Sequence, residues 1–305
     1  MLNAKNANLL IILLALTYAV AACGDDGADN SLASDAIALT PIDAEFIAPE
    51  SAHWDAEGQR WYVSSFGQNF DLTGQTPDAP ATIAQLGPDG AVIDRNFVEL
   101  PEGDVLGIST MDGVLYAAHS SGQLVEVNLD SGETNFIPVP GAGFLNDVAT
   151  GGGQVYISDT VQNVIHRYTP GEGVEVFSDD PALVAPNGLL VDGDTVVVSN
   201  LGSFPPDGTP SGVFTLNAQG DATRIGEIEG VWDGIGKVDG QYLLSDINGT
   251  LFLLDPDGTS TMVANLSEAP HNLSSTADLD IDPQSGTIVV PDLLGNQVFR
   301  FTLPR

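Results

Sequence analysis

The chain writes one short pattern six times: a turn, a strand, a tight hairpin and a second strand. It is plainest from Ala185 to Asn200, APNGLLVDGDTVVVSN, where Pro186-Asn187-Gly188 makes the turn and Asp192-Gly193-Asp194 the hairpin. The other copies are PESAHWDAEGQRWYVSS, LGISTMDGVLYAAH, NDVATGGGQVYISD, DGIGKVDGQYLLSD and DLDIDPQSGTIVVPD. Their spacing is roughly 40 to 55 residues, the length of four strands folded as one propeller blade. A blade cannot bury both its faces alone, so blades stack around an axis. The pattern therefore predicts an all-β chain, a six-bladed β-propeller.

Residues 37–305 keep one composition, with turn signals about every eight to twelve residues and no sustained helical period. The single repeat register predicts one closed domain over that span. The last copy supplies only three strands, Asp278 to Asp282, Thr287 to Pro291 and Gln297 to Leu303. The strand-like segment Ile37 to Phe46 is expected to add the fourth, as the outer strand of the last blade. That joins the ends of the ring and covers a strand edge.

The first residues read differently. Lys5 precedes an apolar run from Leu9 to Val20, about twelve residues, which is short for a bilayer span and right for a signal-peptide core. Val20-Ala21-Ala22-Cys23 resembles a bacterial lipoprotein signal, with 1–22 removed and Cys23 lipidated; ordinary secretory cleavage near Ala22 is the alternative. Cys23 is the one cysteine in the chain, so an exported form has no internal disulfide to explain it. Residues 23–36 are acidic and poor in apolar side chains, and read as a flexible tether. The expectation is an exported lipoprotein, periplasmic or at the cell surface, held at a membrane by its acyl chains.

A formal net charge of −34, with 42 acidic and eight basic residues, disfavours nucleic acid as a partner. Many acids sit in Asp-Gly turns (Asp89-Gly90, Asp112-Gly113, Asp257-Gly258), where they shape the backbone locally. Other acids are placed by the repeat itself. The first strand of a blade starts beside the axis, so its first residue meets the equivalents from other blades. Those positions carry Glu50, Leu106, Asn146, Asn187, Asp233 and Asp278. Five oxygen-bearing side chains around one axis suit a hard divalent cation, calcium above all; taken singly, Asn187-Gly188 and Asp233-Gly234 also read as ordinary turn dipeptides. Asp278 is the weakest member, since Asp278-Leu279-Asp280-Ile281-Asp282 also reads as plain strand alternation. A second set, Ser65, His119, Asp159, Asn200, Asp246 and Asp292, closes the second strands, where it supports ligands or, more often, loop backbone. Two loops leaving those strands are long, 67–80 and 202–212; Phe66, Phe70 and Phe204 are placed to wall a pocket.

With these residues in view, the chain resembles the senescence-marker-protein/gluconolactonase superfamily, relatives of paraoxonase and diisopropylfluorophosphatase. The resemblance spans roughly Phe46 to Phe301. It rests on Glu50-x-x-x-Trp54, Asn146-Asp147, Pro186-Asn187-Gly188 and Asp233-Gly234 in order. It implies that Glu50, Asn146, Asn187 and Asp233 hold a divalent metal, usually calcium, at the bottom of a pocket, and it adds nothing for Asp278. Sugar-lactonase members carry an arginine where this chain has Phe144. With Trp232, Phe144 therefore suggests a less polar lactone or ester. The implied chemistry is metal-assisted hydrolysis, with Asp233 as first candidate base or nucleophile and Asp147 as second; the chain itself is expected to be a monomer. No Gly-x-Ser-x-Gly motif supports a serine hydrolase. The rival reading is a non-catalytic propeller that binds a partner and carries a structural metal, since one fold hosts both.

Overall fold

The computed structural model describes residues 37–43, 45–66, 80–100, 103–204 and 206–304. The expected signal peptide 1–22, Cys23, the tether 23–36 and Phe70 lie outside the described residues. Six four-stranded antiparallel sheets follow one another along the chain. Their first strands are Pro49–Asp55, Val105–Met111, Leu145–Gly151, Pro186–Asp192, Trp232–Val238 and Asp280–Asp282. Each touches the first strands of its two neighbours, and that of blade six touches that of blade one. The ring closes into a six-bladed β-propeller, as the repeat predicts.

Closure uses the expected device. Thr40–Ile42 pairs antiparallel with Gln297–Thr302, placing Thr40 opposite Arg300 and Ile42 opposite Val298. It is the outermost strand of blade six, ahead of the three strands supplied by the other end of the chain. At the axis a second seam forms, where Asp278 donates its backbone N–H to Glu50 O (3.0 Å) and Ala52 donates to Asp278 O (3.2 Å).

The burial pattern follows position within a blade. Second strands such as Val114–His119 (VLYAAH) are buried almost throughout, because both faces meet neighbouring blades. Outer strands such as Thr134–Pro138 are mostly exposed. The apolar clusters lie between blades: Ile83 and Tyr62 of blade one pack with Leu115 and Val125 of blade two, and Leu243 and Leu251 of blade five with Ile288 and Phe301 of blade six. The Asp-Gly turns are local geometry, as expected. Asp112 and Gly113 both take positive φ (52° and 75°), the conformation that a two-residue hairpin requires.

Candidate metal centre and pocket

In blades one to five, pairing of the first two strands slips near the start: Pro49/Ala52, Val105/Ile108, Leu145/Val148, Pro186/Leu189 and Trp232/Ile235. Each slip is a β-bulge, which turns a side chain out of the strand's alternation. The bulged pairs are Glu50-Ser51, Leu106-Gly107, Asn146-Asp147, Asn187-Gly188 and Asp233-Gly234. The first member of every pair lines one pocket at the end of the propeller. Glu50, Asn146, Asn187 and Asp233, far apart in the chain, thus share a floor. Leu106 completes it from blade two.

The second members form a lower layer packed against the adjacent blade. A Cβ built on Gly234 would lie 2.6 Å from Asp278 Oδ1 and 2.7 Å from its Cα, and Gly107 is equally tight against Asp147. Serines on the second strands make the hydrogen bonds that the bulges disturb. Ser64 Oγ accepts the Ser51 N–H (3.0 Å), Ser158 Oγ the Asp147 N–H (2.8 Å) and Ser245 Oγ the Gly234 N–H (2.9 Å). Sequence reasoning missed these serines; the signal was a Ser before the last residue of the second strand in four copies, Ser64, Ser158, Ser199 and Ser245.

Asp278 does not join the floor. Ser275 N–H bonds Asp292 as Phe144 N–H bonds Asp159, and Ser245 Oγ reaches Ala277 O as Ser199 Oγ reaches Asp233 O. The floor position of blade six is therefore Ala277, one residue before the position that the repeat suggested. Asp278 sits in the lower layer, where it accepts from Ser51 Oγ (2.6 Å). With Asp147, Asp280, His53 and Ser109 it lines a separate cavity of about 140 Å³, further along the first strands. Asp147, the second candidate base, also lies there, with its oxygens on the N–H groups of Val148 (2.6 Å) and Leu189 (2.6 Å).

The floor is strongly electronegative. Glu50 is 5 % exposed, and Oε2 has no hydrogen-bond partner. Burial first, then the carboxylates of Asp233, Asp278 and Asp147, pushes its pKa well above the usual range. Asp233 is pushed from 3.8 to about 7, chiefly by burial and against the hydrogen bond from Asn187. Asn146 uses its Nδ2 on Thr160 Oγ1 (3.1 Å), which leaves its Oδ1 as the atom open to a ligand. Asn187 donates Nδ2–H to Asp233 Oδ1 (2.7 Å), and a half-turn of the amide exchanges that donor for an oxygen. Among the described residues no three His, Cys, Asp or Glu side chains form a metal-binding group. The floor offers instead two carboxylates and two amides, an all-oxygen set with an unpartnered buried oxygen, and that chemistry fits a hard cation such as calcium.

The residues closing the second strands hold loop backbone. Asp159 accepts N–H groups of Gly143 (2.8 Å), Phe144 (2.9 Å) and Gln162 (3.1 Å); Asp292 accepts those of Ser274, Ser275 and Gly295 (3.0 Å each). Asp246 accepts the Val231 N–H (2.9 Å), two residues before Asp233. These clamps fix the segments that run into the floor.

Above the floor the pocket, of about 80 Å³, is walled by apolar side chains. Phe144 and Phe204 line it and pack at 5.0 Å between centroids, tilted by 32°. Phe204 and Pro206 bring the 202–212 loop to the mouth, and Phe66 also lines it. Trp232 does not: it is fully buried between blades, donates Nε1–H to Ser211 O (2.8 Å) and packs edge-on against Phe252. It pairs with Asp246 just before the bulge, so it keeps the strand's alternation and points into the blade interface.

Solved structures share this architecture. A gluconolactonase from Xanthomonas campestris superposes with a TM-score of 0.67 at 16% identity, over 88% of this chain and 90% of that one. A putative gluconolactonase gives 0.63 at 18% identity, over 88% and 92%. Virginiamycin B lyase from Staphylococcus aureus gives 0.61 at 12% identity, over 88% and 100%. The chain has their six-bladed fold. At these identities the likeness is one of fold, in agreement with the resemblance drawn from the motifs. No protein-family model and no curated protein matches the sequence.

Proposed function

We propose that the protein is a divalent-cation-dependent hydrolase of a lactone or ester, exported and tethered through Cys23. The observation that carries this reading is the floor: bulges in four blades deliver Glu50, Asn146, Asn187 and Asp233 to one pocket, with Glu50 Oε2 unpartnered. These four would hold the cation, calcium by their chemistry. Once bound, it would supply Lewis-acid polarisation of a carbonyl and stabilisation of developing negative charge. Asp233 has one carboxylate oxygen on Asn187 and keeps the second for a proton. Asp147 has both oxygens on backbone N–H groups and serves the scaffold instead.

Gluconolactonases among the similar structures favour hydrolysis. The lyases share the fold, but a His-to-Ala variant of one is catalytically inactive, whereas no histidine lines this pocket among the described residues. The propeller of a nidogen/laminin complex, with a TM-score of 0.53 at 15% identity, keeps a pure binding role as the rival. The test is turnover of alkyl lactones, aryl esters and sugar lactones with calcium and with chelator. Hydrolysis is expected with calcium alone, and Asp233→Asn is expected to lower kcat by on the order of a hundredfold. No turnover by the calcium-loaded protein, with peptides or glycans bound at the same face, would establish the binding role.

A further inference from the structure

We infer that the pocket selects a hydrophobic lactone or ester with an alkyl or aryl body, and rejects polyhydroxylated ones. The scissile group rests on the hydrolase reading above; the selection rests on the collar over the floor.

Five blades lend that collar an apolar side chain, Phe66, Phe144, Phe204, Ile247 and Leu294, and Leu106 of blade two adds one from the floor. Two hydroxyls reach it among the described residues, and both are engaged. Ser275 Oγ donates to Asp292 Oδ1 (3.1 Å) and accepts the Leu294 N–H (3.2 Å). Thr276 Oγ1 donates to Asp246 O (2.6 Å). A sugar lactone would bring several hydroxyls into a collar that offers them nothing, and each one desolvated without a partner weakens binding. An alkyl or aryl body, in contrast, exchanges water for the Phe144–Phe204 wall. The two rings pack on each other, so they form one broad wall across blades three and four, with no slot between them.

The experiment has two arms, both with the calcium-loaded protein. In the first, kcat/KM is measured for γ-lactones of increasing alkyl length and for a sugar lactone. In the second, calorimetry follows binding of the matching alkyl γ-lactams, which resist hydrolysis. Affinity is expected to rise about fourfold per added methylene until the collar is filled. The sugar lactone is expected to fall about a hundredfold or more below the long-chain lactone, as unmatched hydroxyls dictate. Phe204→Ala and Leu294→Gln, both at half-buried loop positions, should each weaken the long-chain lactam about tenfold while the calcium-induced rise in Tm persists. If the lactams bind with this chain-length dependence but no lactone turns over, the selection stands and the hydrolase reading falls. If sugar lactones are hydrolysed as well as alkyl ones, or lactam affinity is flat with chain length, the selection is overturned and the hydrolase reading stands.

Discussion

Asp147 of blade three accepts the backbone N–H of Leu189 in blade four at 2.6 Å. The acid beside a floor residue therefore stitches two blades together, and its other oxygen takes the Val148 N–H. Asp147→Asn keeps the shape but leaves one of these N–H groups facing an amide nitrogen. An unmatched buried donor costs about 1–3 kcal/mol, so thermal unfolding should show a lowered Tm. Activity per folded molecule should change far less than with Asp233→Asn; an equal loss would return Asp147 to the chemistry.

Burial raises Asp233 and Asp147 from 3.8 to about 7, so the folded protein binds their protons more tightly than the unfolded chain does. Stability from these groups is complete below pH 3.8 and is lost as pH rises through about 7. Without a divalent cation, Tm should therefore fall between about pH 4 and 7. Saturating calcium, which favours the ionised acids, should flatten or reverse that slope. A chelated protein whose Tm rises across this range would contradict the buried acidic floor.

Calcium bound only by the folded state stabilises by mass action, about 2.7 kcal/mol at a hundred times Kd. The rise in Tm should vanish in Glu50→Ala and Asp233→Ala. It should persist in Asp112→Asn, since Asp112 is an exposed hairpin residue at the far end of the Val105–Met111 strand from the floor. Differential scanning fluorimetry with calcium and with chelator reads all three.

Gly107→Ala should be among the most damaging single-methyl additions. The added carbon would overlap the Asp147 carboxylate and backbone. Overpacking of this kind costs typically about 1–3 kcal/mol, and here it also shifts the lower layer under Asn146. Denaturant unfolding would show it; a neutral effect would mean that the bulge relaxes freely.

Removing 37–46 takes away the Thr40–Ile42 strand and the buried side chains of Ile37, Ile42 and Phe46. Each such side chain contributes about 1.5–3 kcal/mol, and the Gln297–Thr302 edge is left unpaired. Size-exclusion chromatography should show association and calorimetry a lower Tm.

The repeat alone determined the fold, the blade count and the closing strand, because blade spacing and strand alternation are local properties that survive in one dimension. Four of the positions it singled out, Glu50, Asn146, Asn187 and Asp233, line one pocket, since the bulge recurs at the same point in blades one to five and carries its side chain with it. It misplaced Asp278 by one residue, because the floor position of blade six is Ala277 and the longer copy hid the shift. Tertiary structure alone decided which neighbour each polar atom meets. Trp232 and Phe144 look alike as aromatic residues near the floor, yet one is sealed between blades and the other walls the pocket. Asn146 and Asp147 are adjacent in the chain but line different cavities, because the bulge at this pair breaks the strand's regular alternation.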